Sequence, residues 1–144
     1  MSKRRMTPLL VFAAISATCA AQATDETERW RSLDASKVRI ENQVRDCLRI
    51  EPREVKMDGL AARLVADVKP LKSTAECGCR STLLSYQVFE RISPDFERVW
   101  MSGILNGRES RFGPETPLDL VLTSDATIPF REKVTVAIGC ALDP

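Results

Sequence analysis

Two cysteines separated by a single glycine, Cys77 and Cys79, form the feature of this sequence best suited to do chemistry. Arg80 follows them, and a neighbouring cation lowers the pKa of a thiol and makes it more reactive. Soft thiolates also suit copper(I). The motif therefore allows a thiol–disulfide or copper-handling function. Oxidoreductases instead use two intervening residues at the start of a helix, whereas a strand pattern follows this motif, which favours a structural role.

A candidate functional loop surrounds the motif and comprises Glu76, Cys77, Gly78, Cys79, Arg80 and Ser81, with Tyr86 a few residues further on. The alternative interpretation is a corner fixed by disulfides, with the tyrosine ring packed in the core.

Four cysteines lie beyond the N-terminal segment, namely Cys47, Cys77, Cys79 and Cys140. An even number in an exported chain predicts two disulfides, for which three pairings exist. A bridge within the motif would be strained and oxidising, and it would leave the distant two cysteines to join the first and last strands. The other pairings would anchor the motif to the sheet. Sequence does not choose among them.

The chain contains no histidine, which excludes Ser-His-Asp and Cys-His catalysis and every histidine-ligated metal site. No serine is followed by lysine three residues later, and no glycine-rich phosphate loop occurs. The carboxylates are scattered, and no spacing selects a catalytic pair. The sequence therefore predicts a protein that is not an enzyme and has no cofactor or metal.

The first 23 residues read as a cleaved signal peptide. Residues 3–5 are basic, residues 9–17 are apolar, and residues 21–23 form an Ala-Gln-Ala cleavage site before Thr24. The apolar run is too short to span a bilayer, which takes about 20 residues. We therefore expect a periplasmic or secreted protein without a transmembrane segment. A lipid anchor on Cys19 is the less favoured alternative.

Cleavage would leave one domain's worth of chain with little net charge. Of the 144 residues, 21 are Lys or Arg and 20 are Asp or Glu; the leader removes three basic residues, giving 18 − 20 = −2. A slightly acidic chain lacks the excess of positive charge that binds nucleic-acid phosphates, so we expect no nucleic-acid partner.

Residues 24–43 are charged and irregular and predict a leader in front of a domain at 44–144. Within the domain, apolar and polar residues alternate with a period of two. The pattern predicts an all-β fold, an immunoglobulin-like antiparallel β-sandwich of about six to seven strands. The strands are expected at residues 44–50, 55–57, 60–68, 83–92, 98–105, 118–122 and 134–138. Asn106-Gly107 gives the strongest hairpin signal.

Short motifs spread over residues 40–141 resemble a known family. They are Asp46-Cys47-Leu48, Cys77-Gly78-Cys79 with Ser81 and Tyr86, Leu120-Val121-Leu122, and Gly139-Cys140-Ala141. The chain resembles the bacterial exported proteins grouped as domain of unknown function 2195. The resemblance implies a cysteine-stapled domain of the cell envelope and no catalytic residue.

Size, export and the lack of catalytic groups favour a protein-binding domain in the periplasm. One version is an immunity-type protein that inhibits a periplasmic toxin. The alternatives are the thiol–disulfide or copper-handling protein described above, and an envelope assembly or chaperone-like subunit. Exposed apolar edge strands would favour the last of these, because such strands pair with strands of a partner.

Overall fold

The computed structural model describes residues 30–108, 117–130 and 133–141. These residues form seven strands and two short 3-10 helices, and they confirm the all-β sandwich. The strands are β1 Val38–Asn42, β2 Leu48–Asp58, β3 Ala61–Pro70, β4 Leu83–Ser93, β5 Phe96–Asn106, β6 Leu118–Thr123 and β7 Val134–Cys140. Within the described ranges, no helix is long and apolar enough to cross a membrane. The predicted signal peptide and Cys19 lie outside these residues.

The strands form two sheets that pack face to face. One has four strands in the order β1-β7-β4-β5, and the other has three in the order β2-β3-β6. Neighbouring strands run antiparallel except β1 and β7, which run parallel. The predicted antiparallel arrangement holds for the other pairs, and β1–β7 is the parallel exception among the described strands. The immunoglobulin-like subclass remains a prediction.

Alternating side chains place the core between the sheets, because successive strand residues point to opposite faces. In β3 the residues Ala62, Leu64 and Ala66 are fully buried, and Asp67 is exposed. The predicted strand at 60–68 is thus confirmed apart from its first residue. Leu60 belongs to the preceding turn and is 55% exposed.

The boundary expected between a leader and the domain at residue 44 differs from the structure. Trp30 is 0% exposed, and its indole Nε1 donates a 2.8 Å hydrogen bond to the carbonyl of Ile128. Its ring meets Trp100 and Phe130 edge-on, with centroids 5.5 and 4.7 Å away. Strand β1 then pairs with β7. Residues 30–43 therefore belong to the sandwich; the alternation is too short to reveal them, and their partners are distant in sequence.

The strand expected at residues 44–50 begins later than predicted, at Leu48. Residues 43–47 form a turn instead. The side chain of Asn42 fixes this turn, since its Oδ1 accepts from the Val44 amide at 3.0 Å and its Nδ2 donates to the Leu48 carbonyl at 2.6 Å. The separate strand expected at 55–57 is the second half of β2, beyond a bulge after Pro52.

The hairpin predicted at Asn106-Gly107 is also wrong. Strand β5 ends there, and the next strand, β6, lies in the other sheet. The β4–β5 hairpin turns instead at Pro94 and Asp95. The dipeptide is a local signal, whereas the sheet that the next strand joins is decided by burial of that strand's apolar face.

Candidate functional site

The loop around the Cys-Gly-Cys motif, residues 73–81, forms a capped helical turn that we call the cysteine corner. A 3-10 helix runs over Thr74–Cys77 and begins with a capping box: Glu76 Oε2 accepts from the Ser73 amide at 3.1 Å, and Ser73 Oγ accepts from Ala75. Gly78 ends the turn with φ 84°. Glycine adopts this left-handed conformation without steric cost, so the motif's central residue has a structural reason.

The two cysteines of the motif belong to different disulfides. Cys77 is bonded to Cys47, which precedes β2 of the three-stranded sheet. Cys79 is bonded to Cys140, the last residue of β7 in the four-stranded sheet. The bridges close loops with sequence separations of 30 and 61 residues. On a chain-entropy model each contributes about 4 kcal/mol to stability. The corner thus ties one end of both sheets together.

This pairing is one of the two that anchor the motif to the sheets. A Cys77–Cys79 bridge, with Cys47 joined to Cys140, is not the arrangement in the structure. Cys79 is buried, Cys77 is partly buried, and Glu76, Arg80 and Gly78 are exposed. Ser81 Oγ accepts a 3.2 Å hydrogen bond from the Leu83 amide, which starts β4. Among the described residues, no group of three or more acidic or cysteine side chains could hold a metal ion.

Tyr86 lies apart from the cysteine corner, within β4. It is opposite Gly103 of β5 and packs against the core. Its hydroxyl makes a hydrogen bond with the backbone of Val121 in the other sheet, and burial raises the pKa of the phenol above its ordinary value of 10.0. The structure therefore does not bring this residue into one site with the motif. It bridges the two sheets beside β5.

Strand β5 forms an edge of the four-stranded sheet, since among the described strands it pairs only with β4. We call its second half, Met101–Asn106, the β5 edge. Exposed apolar side chains line this strand: Phe96 is 57% exposed, Val99 is 51% and Ile104 is 60%. No charged residue occurs from Val99 to Gly107. An edge strand of this kind readily accepts another strand.

Strand β2, an edge of the three-stranded sheet, is protected in the ways natural proteins use against strand pairing. Six of its eleven residues are charged. Pro52 interrupts its row of backbone donors, and a bulge follows. The charged side chains form exposed ion pairs, such as Arg49 with Glu51 at 2.7 Å and Lys56 with Glu54 at 3.0 Å. The β5 edge is therefore more open to pairing than β2.

A shallow depression of about 470 Å³ borders the β5 edge on the outer face of the four-stranded sheet. Ser102 and Ile104 belong to its lining, and Gln87 of β4 and Gly139 of β7 lie further in. A Cβ atom at residue 139 would stand 2.5 Å from Gln43 Oε1, so glycine permits the close approach of this side chain. None of the residues lining the depression is charged. The surface offers hydroxyl and amide groups but no counter-charge.

Sequence reasoning concentrated on the cysteines and did not find this edge. The available signal was the run of nine uncharged residues between Arg98 and Arg108, in a chain of which 28% of residues are charged. Its meaning depends on which strands lie at sheet edges, and that is a property of the assembled sheets.

These features define a disulfide-stapled β-sandwich domain in which β2 is a protected edge strand and β5 an open one. A family model for uncharacterized proteins conserved in bacteria, domain of unknown function 2195, matches residues 14–143, and the chain belongs to that family. The resemblance inferred from the sequence is thereby confirmed. Neither the curated proteins nor the solved structures contain a match to the chain.

Proposed function

We propose that this protein is an exported, non-enzymatic domain of the periplasm that binds another protein through the β5 edge. The observation that carries the proposal is the uncharged run Val99–Gly107, which contains the β5 edge. Ile104 in this run is 60% exposed. Exposed apolar side chains beside unpaired backbone groups favour the addition of a partner's strand to this edge. The disulfides hold this surface in place, because they fix both sheets at one end.

Export is supported by two independent features. The first 23 residues have the charge, length and cleavage pattern of a signal peptide. Two disulfides are typical of proteins that fold in an oxidising compartment such as the periplasm.

An immunity-type inhibitor of a periplasmic toxin and an envelope assembly or chaperone-like subunit are two versions of this binding function. The open edge strand favours the second, because such subunits hold partner strands. The thiol–disulfide or copper-handling alternative has less support. Cys77 and Cys79 are in separate bridges, so a redox or copper site between them would need both bridges to open.

The test is site-specific photo-crosslinking in cells that produce the protein. A photoreactive amino acid replaces Ile104 in one variant and Lys56, on the protected β2 edge, in the other. The two positions are matched in exposure, 60% for Ile104 and 57% for the Lys56 side chain. We expect one adduct of defined mass at position 104 and none at position 56. Absence of an adduct at 104, or the same adducts at both positions, would contradict the proposal.

A further inference from the structure

The hydrogen-bond register of β4 and β5 shows which backbone groups of the β5 edge are open. The Gly107 amide donates to the Thr82 carbonyl at 2.6 Å, so this pair is a hydrogen-bonded one. In an antiparallel ladder such pairs alternate with non-hydrogen-bonded pairs. Two residues along the register the Leu84–Leu105 pair is hydrogen-bonded, and four residues along so is the Tyr86–Gly103 pair. The N–H and C=O groups of Ser102 and Ile104 therefore point away from β4.

The other neighbour of β4 supports this assignment. The Ala141 amide donates to the Leu83 carbonyl at 3.1 Å, which makes the odd-numbered residues of β4 bond to β7. The even-numbered residues of β4 are then left to bond to β5, in agreement with the hydrogen bond between Thr82 and Gly107. Ser102, Ile104 and Asn106 thus present a row of outward donors and acceptors over about 17 Å of strand.

The same residues carry side chains that are exposed on the outer face, beside the uncharged depression. A strand added at this edge would lie along the rim of that depression, where a charged side chain would find no counter-charge. The uncharged run ends at Arg98 on one side and Arg108 on the other. Arg98 already lies 4.0 Å from the buried Glu90 carboxylate and over the Trp100 ring. Arg108 is exposed, so it would attract an acidic residue at one end of an added segment.

A second copy of this chain fits the edge less well. Antiparallel pairing of two β5 strands centred on Gly103 would place Arg98 of one copy opposite Arg108 of the other. Like charges directly opposite each other destabilise a pair of strands. The bulge at Trp100, between the pairs made by Val99 and Met101, further limits the length of such a ladder.

We propose that the β5 edge binds by strand addition an extended segment of a partner protein, about five uncharged residues long and with an acidic residue at the end beside Arg108. The proposal rests on the proposed protein-binding function and specifies how the partner is held. Main-chain hydrogen bonds to Ser102, Ile104 and Asn106 give the affinity, and Arg108 selects an acidic residue at one end.

Proline at an outward position tests strand addition directly. Proline removes a backbone donor and is tolerated on an edge strand where that N–H faces solvent. Ile104→Pro and Ser102→Pro each remove one outward donor and leave the bonds to β4. Ile104→Thr changes the side chain and keeps the donor. Pro52→Ser, in the edge strand β2 of the three-stranded sheet, is the control.

The probe is a library of random nine-residue peptides displayed on phage and selected against the oxidised protein. We expect selected peptides with an uncharged stretch and an acidic residue at one end. Their affinity should fall about tenfold or more in both proline variants, because a main-chain hydrogen bond is lost and the ring obstructs approach. Ile104→Thr should weaken them far less, and Pro52→Ser should leave their affinity unchanged.

Amide hydrogen exchange provides a measurement without any variant. In the free protein the Gly103 and Leu105 amides should be protected, and the Ser102 and Ile104 amides should exchange quickly. A selected peptide should protect the second pair. Unchanged exchange there, or selected peptides that bind the proline variants normally, would overturn strand addition.

Two further outcomes separate this inference from the function on which it rests. If crosslinking at position 104 captures a partner whose binding is unaffected by Ile104→Pro, protein binding stands and strand addition is wrong. If sedimentation shows a dimer that Ile104→Pro dissociates, a second copy of this chain binds the β5 edge, and the proposed segment of a partner protein is wrong.

Discussion

The ring of Tyr86 lies directly over Gly103 on the neighbouring strand. A Cβ atom at residue 103 would stand 2.9 Å from Cζ of the ring, a separation that real Cβ atoms do not show. The contact joins the central strand β4 to the open edge strand. An aromatic ring that covers a glycine on an edge strand offsets the loss of side-chain packing there. The phenol then continues to the backbone of Val121 in the opposite sheet.

Replacing Gly103 by alanine should destabilise the protein by about 1–3 kcal/mol, because the added methyl group displaces the ring in a packed region. Denaturant unfolding measures the change. Ser102→Ala is the matched control, since Ser102 is exposed on the other face of the same strand, and it should have an effect within about 0.5 kcal/mol. Equal stability of the two variants would show that the ring does not pack on Gly103.

Tyr86 is the only tyrosine in the chain, so its ionisation can be followed by ultraviolet absorbance without interference. Burial disfavours the phenolate, and its pKa should therefore lie above 10.0 in the folded protein. The unfolded chain then loses this proton first as the pH rises. The contribution of the protonated Tyr86 phenol to the free energy of unfolding is fully present below the pKa of the unfolded chain. It is lost as the pH rises through the pKa of the folded protein. A pKa at or below 10.0 would contradict the buried position.

Replacing Trp30 by alanine should cost about 3–5 kcal/mol of unfolding free energy, because the ring is fully buried against Trp100 and Phe130. Lys37→Ala, at an exposed position in the same N-terminal segment, is the control and should be nearly neutral. If both variants unfold like the parent, residues 30–43 are a dispensable leader, as the sequence alone predicts.

Removing one bridge at a time should test the disulfide pairing. The double variant Cys47→Ser with Cys77→Ser should keep the Cys79–Cys140 bridge, so it should have no reduced thiol at Cys79 or Cys140. Its free energy of unfolding should fall by about 4 kcal/mol. Thiol titration and denaturant unfolding measure the two effects. Two reactive thiols at Cys79 and Cys140 would mean that these two cysteines are not bonded to each other in the parent, and the observed pairing would be wrong.

The sequence predicts those parts of the fold that alternation alone determines. β3, β4, β6 and β7 lie close to their expected positions because each has one face buried, and a period of two is enough to recognise that. β1 escapes recognition because it has five residues and its partner, β7, lies almost a hundred residues away in sequence. The Asn106-Gly107 signal is local and carries no information on which sheet receives the next strand.

The candidate site shows the same division. The four cysteines are recognised from their number and from the signal peptide, but their pairing depends on which strand ends meet in space. Tyr86 is close to the motif in sequence, and the pleat of β4 turns it toward Val121 instead. The open edge depends on the order of strands across a sheet, which no single segment encodes.

The pairing at the cysteine corner also determines how the domain would respond to tension. The two bridges close consecutive loops, from Cys47 to Cys77 and from Cys79 to Cys140, with one residue, Gly78, between them. A pull on the two chain ends would load residues 30–46, which include β1, and from Cys47 to Cys140 it would pass through covalent bonds across the corner and bypass the other six strands. The part between Cys47 and Cys140 would act as a short inextensible link and keep the β5 edge folded under load, while β1 would be the strand that yields.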